Sequence, residues 1–308
     1  MAKVKAHHLH YVYVLLLIFA FTLYVGCSGS GSTTREGPAD FRYGSQALEL
    51  RWHESNPRIF YEGDDLSLLV DVYNRGTEEV YGEFFLSGYD PAYLDLQIYP
   101  SYFISMEGKD EFDPAGDFGD IITIAANRVR LPNNRERFTQ SIKLTACYNY
   151  ATKASAEVCV DPDPYNRKIE DKVCTLGAQN PGGQGHPVVV TNIDTHISRN
   201  DVRFTIDFSN SGTGDVFDQR VSFNACSGGL NYDEIGLISV QSVTLSGRAL
   251  SCEPLNPVRM RNNQGSIVCE CSGCIDEYQS AYRSLLEIDF SYGYRNTITQ
   301  DIEIVSNS

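Results

Sequence analysis

A strand-turn-strand pattern occurs twice in this chain, at residues 66–80 and again at residues 202–216. In each copy four apolar residues alternate with mostly polar ones, and this period of two predicts a strand with one buried face. The tetrapeptide N-x-G-T follows at once, beginning at Asn74 in the first copy and at Asn210 in the second. Since Asn and Gly both tolerate positive φ, the motif predicts a turn that reverses the chain. The alternating apolar residues are Leu66, Leu68, Val70 and Val72, and then Val202, Phe204, Ile206 and Phe208.

A second motif repeats in the same order. Tyr-x-Tyr follows an alternating apolar run at Tyr148 and again at Tyr292. We predict that each motif belongs to a hairpin, with the turn near Thr152-Lys153 in the first copy and near Asn296-Thr297 in the second. The two Tyr-x-Tyr motifs are 144 residues apart, and the two N-x-G-T motifs are 136 residues apart. Two features repeated in order at nearly the same offset indicate a duplicated domain.

The strand pattern predicts an all-β protein of two tandem immunoglobulin-like antiparallel β-sandwich domains. Many short strands with frequent turns are typical of this class. We expect the first domain over residues 44–162 and the second over residues 187–308, joined by a connector over residues 163–186 that is rich in Pro and Gly. The length of 308 residues allows each domain its own core.

The chain begins with a targeting segment, predicted as a signal peptide or membrane anchor over residues 1–26. Two lysines precede an apolar run that is short for a membrane-spanning helix. Cys27 stands where a lipoprotein signal has its lipidated cysteine, with Tyr24 where Leu is usual. An uncleaved anchor and full secretion are the alternatives to lipidation. All three place the folded part outside the cell, and lipidation or an anchor fixes it to the outer face of the cell membrane, with residues 27–43 as a flexible tether.

Cysteine usage agrees with an extracytoplasmic location. Apart from Cys27, the chain has an even number of cysteines, which predicts disulfides in an exported protein. The predicted hairpin would place Cys147 opposite Cys159, within disulfide reach. Cys174 competes for the same partner, because it would tie the connector back to the first domain. The eight cysteines are Cys147, Cys159, Cys174, Cys226, Cys252, Cys269, Cys271 and Cys274.

The cysteine cluster of the second half has two other interpretations. Cys269-x-Cys271-x-x-Cys274, with Cys252 upstream, supplies the four thiolates of a tetrahedral zinc site. The Cys271-x-x-Cys274 spacing is also that of a redox pair, although no thioredoxin-like βαβ pattern surrounds it. Because exported chains oxidise their thiols, we favour disulfides over both.

An acidic loop over residues 110–120 is a candidate site for calcium. Calcium takes several oxygen ligands, and such a loop supplies carboxylates for them. The spacing differs from that of an EF-hand loop, so a solvated acidic loop is the favoured alternative. No other cofactor is predicted. The candidate calcium ligands are Asp110, Asp113, Asp117 and Asp120.

Charge and motifs limit the possible functions. A net charge of −15 argues against partners that are nucleic acids or anionic lipid surfaces. No recognisable nucleophile or metal motif surrounds His53, His186 or His196, which predicts that the protein is not an enzyme. We expect attachment to the membrane through the N-terminus and an unknown protein or glycan as partner. The tyrosines predicted to form a contact surface are Tyr89, Tyr93, Tyr99 and Tyr102.

The strand, N-x-G turn and return strand resemble the early strands of CARDB-type domains, immunoglobulin-like modules of bacterial and archaeal surface proteins. The Tyr-x-Tyr motif and the sequence D-P-D-P at residues 161–164 resemble uncharacterised archaeal envelope proteins. The resemblance implies a non-catalytic surface module for binding, adhesion or envelope structure, and it supplies no catalytic residues. A self-assembling envelope subunit that polymerises through unpaired strand edges is an alternative. An accessory module of an extracytoplasmic hydrolase, or such a hydrolase itself, is another.

Overall fold

Strands dominate the computed structural model of this protein, which describes residues 41–165, 171–181, 184–198, 200–254, 256–275 and 279–307. One short helix, α1, spans Phe223–Gly228 among these residues, and the Ser222 side chain caps its N-terminus. The predicted all-β class is therefore confirmed. The strands are β1 (Leu48–Trp52), β2 (Ile59–Tyr61), β3 (Leu66–Asn74), β4 (Val80–Ser87), β5 (Gln97–Tyr99), β6 (Phe103–Met106), β7 (Gly119–Ala126), β8 (Arg137–Val160), β9 (Val188–Ser198), β10 (Asp201–Asn210), β11 (Asp215–Phe217), β12 (Leu237–Leu245), β13 (Arg248–Ala249), β14 (Ser251–Glu253), β15 (Val258–Arg259), β16 (Gln264–Cys271) and β17 (Tyr282–Val305).

Three sheets contain these strands. Two small sheets have the orders β1-β3-β7-β5 and β9-β10-β16-β14, and a large sheet contains β13-β12-β17-β8-β4-β6. When the strands of each half are lettered in chain order, the strands of each small sheet lie side by side as A-B-E-D, as in an immunoglobulin domain. In the large sheet, β4 and β8 take the places of strands C and F of the first half, and β12 and β17 take those places in the second half. The pairing is antiparallel except between β2 and β17. Both halves are therefore antiparallel sandwiches with this strand order.

The core lies between the small sheets and the large one. The four alternating apolar residues of β3, and the four of β10, are each at most 1% exposed. They pack with buried side chains of β8 and β17 in a single hydrophobic cluster. The amphipathic pattern of the sequence is confirmed, because the pleat directs every second side chain to the same face.

The predicted hairpins at the two Tyr-x-Tyr motifs are wrong. Thr152-Lys153 and Asn296-Thr297 lie inside β8 and β17, which are continuous strands of 24 residues each. These two strands pair antiparallel along their whole length. Thr is a good strand former, and neither pair contains a Gly or Pro to favour a tight turn. Each motif therefore lies in the middle of a long strand.

The two long strands make the halves complete each other. One end of β8 lies between β4 and the C-terminal end of β17, while its other end pairs with the part of β17 that lies beside β12. The place of strand G in each half is thus taken by the long strand of the other half. Asn149 pairs with Gly293, which is also its equivalent in the repeat, so a pseudo-two-fold axis passes between them. Asp40–Ser308 forms one compact unit, and the boundaries of the two predicted domains stay a prediction.

Candidate functional site

The N-x-G-T turns pack on buried tyrosines at the centre of the molecule. In the first turn, Asn74 Nδ2 donates to the Glu78 carbonyl at 2.8 Å, and the Glu78 N–H donates to the Tyr150 hydroxyl at 3.2 Å. A methyl group on Gly76 would clash with that hydroxyl. Burial raises the pKa of Tyr150, so the phenol stays protonated.

The second turn repeats these bonds. Asn210 Nδ2 donates to the Gly214 carbonyl at 2.8 Å, and the Gly214 N–H donates to the Tyr294 hydroxyl at 2.9 Å. Burial raises the pKa of Tyr294 to about 12. Because the same contacts occur in both halves, the two asparagines and the tyrosines form the fold and are not site residues.

His186 is also part of the fold. Its side chain is 1% exposed, and Nε2 accepts a hydrogen bond from the Lys153 N–H at 3.3 Å. The Thr77 hydroxyl lies 3.3 Å from Nδ1. Burial, more than any other cause, lowers the pKa of His186 to about 4. The imidazole is therefore neutral at pH 7, and it joins the connector to the first N-x-G-T turn.

All eight predicted disulfide cysteines are paired, as four disulfides. The predicted pair Cys147–Cys159 is wrong, because both residues lie on the continuous strand β8, twelve positions apart. Cys159 pairs with the competing Cys174 at a Cα separation of 5.8 Å. Cys147 pairs with Cys226 at 6.3 Å, which fixes α1 to the large sheet.

The cysteine cluster of the second half contains the remaining two disulfides. Cys252 of β14 pairs with Cys269, which lies directly opposite it on the neighbouring strand β16, and Cys271 pairs with Cys274. The zinc interpretation is wrong for these cysteines, because a disulfide leaves no thiolate for a metal. Four disulfides indicate that the folded part lies in an oxidising, extracytoplasmic compartment. No helix among the described residues is long and apolar enough to span a membrane, and Cys27 lies outside those residues.

The carboxylates of the acidic loop hold the loop itself together. Asp110 Oδ1 accepts hydrogen bonds from the N–H groups of Phe112 and Asp113, at 2.7 Å and 2.9 Å. Asp113 accepts from the N–H groups of Asp117 and Phe118, both at 2.9 Å. These are turns in which an Asp side chain caps the backbone that follows.

The carboxylates of the other two candidate calcium ligands, Asp117 and Asp120, do not cap these turns. Asp117 forms an ion pair with Arg75, and Asp120 lies on β7, opposite Val72 of β3. The structure brings no three His, Cys, Asp or Glu side chains of the described residues together as a metal site.

The acidic loop lies beside β6, and the two line one surface depression. Phe112 and Phe118 are 80% and 78% exposed there. Exposed aromatic side chains that lie together on a surface are typical of interaction sites. We call this site the acidic depression. Its principal lining residues are Ser105, Glu107, Asp110, Phe112, Phe118 and Asp120.

The charge of this region is strongly negative. The positive groups nearby are held by the fold: Lys109 Nζ donates to the Tyr43 carbonyl at 2.6 Å, and Arg75 pairs with Glu49 at 2.8 Å as well as with Asp117. The carboxylates around the depression are Glu107, Asp110, Glu111, Asp113, Asp117 and Asp120.

The second half has an equivalent depression with different chemistry. Tyr73 pairs with Gly119 as Ser209 pairs with Gln264, so the chain before β7 and the chain before β16 occupy equivalent places. In the second half, Tyr232, 83% exposed, lies under the Arg259 guanidinium at 5.0 Å. Principal lining residues of this depression are Asp215, Tyr232, Ile235, Arg259, Arg261 and Asn262. The two halves therefore differ in the charge at this place.

The predicted tyrosine surface is divided by the fold. Tyr89 packs against the core, and Tyr93 is half-buried with its ring 5.2 Å from that of Phe138. Tyr99 and Tyr102 are 55% and 54% exposed. Phe112 and Phe118 are not among the residues predicted from the sequence, although two phenylalanines in an acidic loop outside any strand pattern already indicate exposed aromatic side chains.

Comparisons with known proteins give little guidance. No family model matches the chain, and no curated protein matches it. The E. coli chaperone DraB aligns with a TM-score of 0.23 and 9% identity, covering 73% of this chain and 86% of that one. A Salmonella enterica complex of the SafA pilin with the SafB chaperone aligns with a TM-score of 0.22 and 9% identity, covering 73% and 85%. Likeness at this level carries no functional argument.

Proposed function

We propose that this protein is a non-catalytic surface protein that binds another protein through the acidic depression. The observation that carries the proposal is the exposure of Phe112 and Phe118, 80% and 78% of their surface, within one acidic surface beside a strand edge. Two exposed phenylalanines leave apolar surface in contact with water, which is unfavourable in free energy. A partner that covers both rings removes this surface from water and gains the free energy of its burial.

The proposal includes attachment to the outer face of the cell membrane. Lipidation of Cys27 would hold the protein there, and residues 27–43 would be the tether that separates the sandwiches from the lipid. The disulfides support this location, because they form in an oxidising compartment. The resemblance to CARDB-type surface modules is consistent with a protein that presents a rigid binding surface.

The test is photo-cross-linking in native envelopes with the full-length protein. One variant carries Phe112→Ser and Phe118→Ser, and the matched control carries Tyr232→Ser and Ile235→Ser in the equivalent depression of the second half. We expect the first variant to lose the cross-linked partners of the wild type, and the control to keep them. Equal cross-linking by the wild type and the first variant would overturn the proposal.

A self-assembling subunit is the second candidate. The acidic depression and the equivalent depression of the second half lie near opposite edges of the large sheet, and the second contains Arg259 and Arg261. A contact between such unlike surfaces of neighbouring copies would be heterologous and would build a filament or ring. Sedimentation of the purified full-length protein in mild detergent distinguishes self-assembly from binding to a different protein. Growth of the particles with protein concentration, abolished by Arg261→Glu, would favour assembly.

A further inference from the structure

We infer that the acidic depression binds an extended, Lys- or Arg-containing segment of another protein, which adds as a strand to the outer edge of β6. The inference rests on the proposed function and names the chemistry of the partner. It combines three features: an edge strand, two exposed aromatic rings and an excess of carboxylates.

The strand β6 ends the large sheet, and among the described residues it pairs with β4 alone. The Phe84 N–H donates to the Tyr102 carbonyl at 2.7 Å. Because alternate residues of an antiparallel strand face the same neighbour, Tyr102 and Ile104 face β4, while Phe103 and Ser105 face away. The Phe103 N–H donates to Ser101 Oγ at 3.0 Å. The outer edge therefore presents the Phe103 carbonyl and both backbone groups of Ser105.

Such an edge fits an extended peptide. A chain that runs beside β6 would donate to the Phe103 and Ser105 carbonyls and accept from the Ser105 N–H, which is the bonding of strand addition. Ser105 also lines the acidic depression. Side chains of the added strand that point to that side would therefore reach the depression.

The charge decides which segment fits. The carboxylates of Asp110 and Asp120 line the depression together with the rings of Phe112 and Phe118. A lysine or arginine of the partner can form an ion pair with one of these carboxylates and lie over one of the two phenylalanine rings, because an aromatic face attracts cations. The net charge of −15 strengthens attraction for a cationic segment at long range and disfavours an acidic one or a second copy of this chain.

The test uses the full-length protein and fluorescent synthetic peptides of about eight residues. The first peptide alternates Lys with Val, the second has Glu in place of Lys, and the third is the first with N-methyl groups on the amides that face β6. We expect the first peptide to bind, the third to bind about tenfold more weakly because it has lost edge hydrogen bonds, and the second not to bind. Equal binding of the first and third peptides would overturn strand addition.

Variants of the protein provide the reciprocal test. Ser105→Pro removes the outward N–H without touching a bond to β4, and Ser105→Ala keeps it. We expect weakened binding only for the proline variant, with thermal melting used to confirm that both fold. Failure of the basic peptide to bind, with cross-linking of native partners intact, overturns this inference and leaves the proposed function. Cross-linking of native partners that does not depend on Phe112 and Phe118 overturns both. Self-association that the proline variant abolishes would instead make a second copy the occupant, and would also overturn the inference.

Discussion

Buried His186 makes the stability of this protein sensitive to acid. The folded protein holds the imidazole neutral, because burial above all, together with the positive charge of Lys153, lowers its pKa to about 4. In the unfolded chain the pKa returns to about 6.5. Between these two pKa values the imidazole is therefore protonated in the unfolded state and neutral in the folded state. This contribution to stability is present above about pH 6.5 and is lost as the pH falls towards 4.

The magnitude follows from the difference between the two pKa values. Between pH 7 and pH 5 the unfolded state gains most of a proton at His186, and the free energy of unfolding should fall by about 2 kcal/mol from this residue. Other groups also titrate in this range, so the measurement needs a reference. His186→Gln is suitable, because the amide oxygen can still accept from the Lys153 N–H and the side chain does not titrate.

The assay is urea unfolding of both proteins at pH 7 and pH 5 with the disulfides intact. The wild type should lose about 2 kcal/mol more than His186→Gln between the two pH values, since the remaining groups are common to both. The reasoning is refuted if the two proteins lose the same amount. A greater loss in the glutamine variant would show that the imidazole is not held neutral in the folded state.

Three further predictions concern other parts of the chain. Gly76→Ala should destabilise the fold by about 1 to 3 kcal/mol in urea unfolding, because the methyl clashes with the Tyr150 hydroxyl; Gly177→Ala, in open space, is the control, and equal effects would contradict the contact. Cys27→Ser should prevent cleavage of the signal segment and lipidation, so that mass spectrometry detects the intact precursor; normal maturation of this variant would contradict the lipoprotein proposal. Calcium and chelator should give the same melting temperature, since Asp110 and Asp113 already accept backbone hydrogen bonds; a rise with calcium would restore the site.

The sequence by itself determined the local elements of this fold. β3 and β10 end at Asn74 and Asn210, where the N-x-G-T motif predicts a turn. The alternating apolar residues before each turn are buried as expected. These features were readable because the pleat and the Asn-Gly turn depend on a few neighbouring residues. The even number of cysteines likewise predicted complete pairing, since oxidation depends on the compartment and not on the fold.

Only the tertiary structure decided how distant segments meet. The long strands β8 and β17 pair with each other, so the predicted hairpins do not form and Cys147 meets Cys226 across a separation of 79 residues. The burial of His186 and the position of the acidic loop beside β6 depend on the same long-range pairing. No local pattern encodes such contacts, because alternation fixes which face of a strand is apolar but leaves its neighbour open. The candidate site is therefore a product of the tertiary fold.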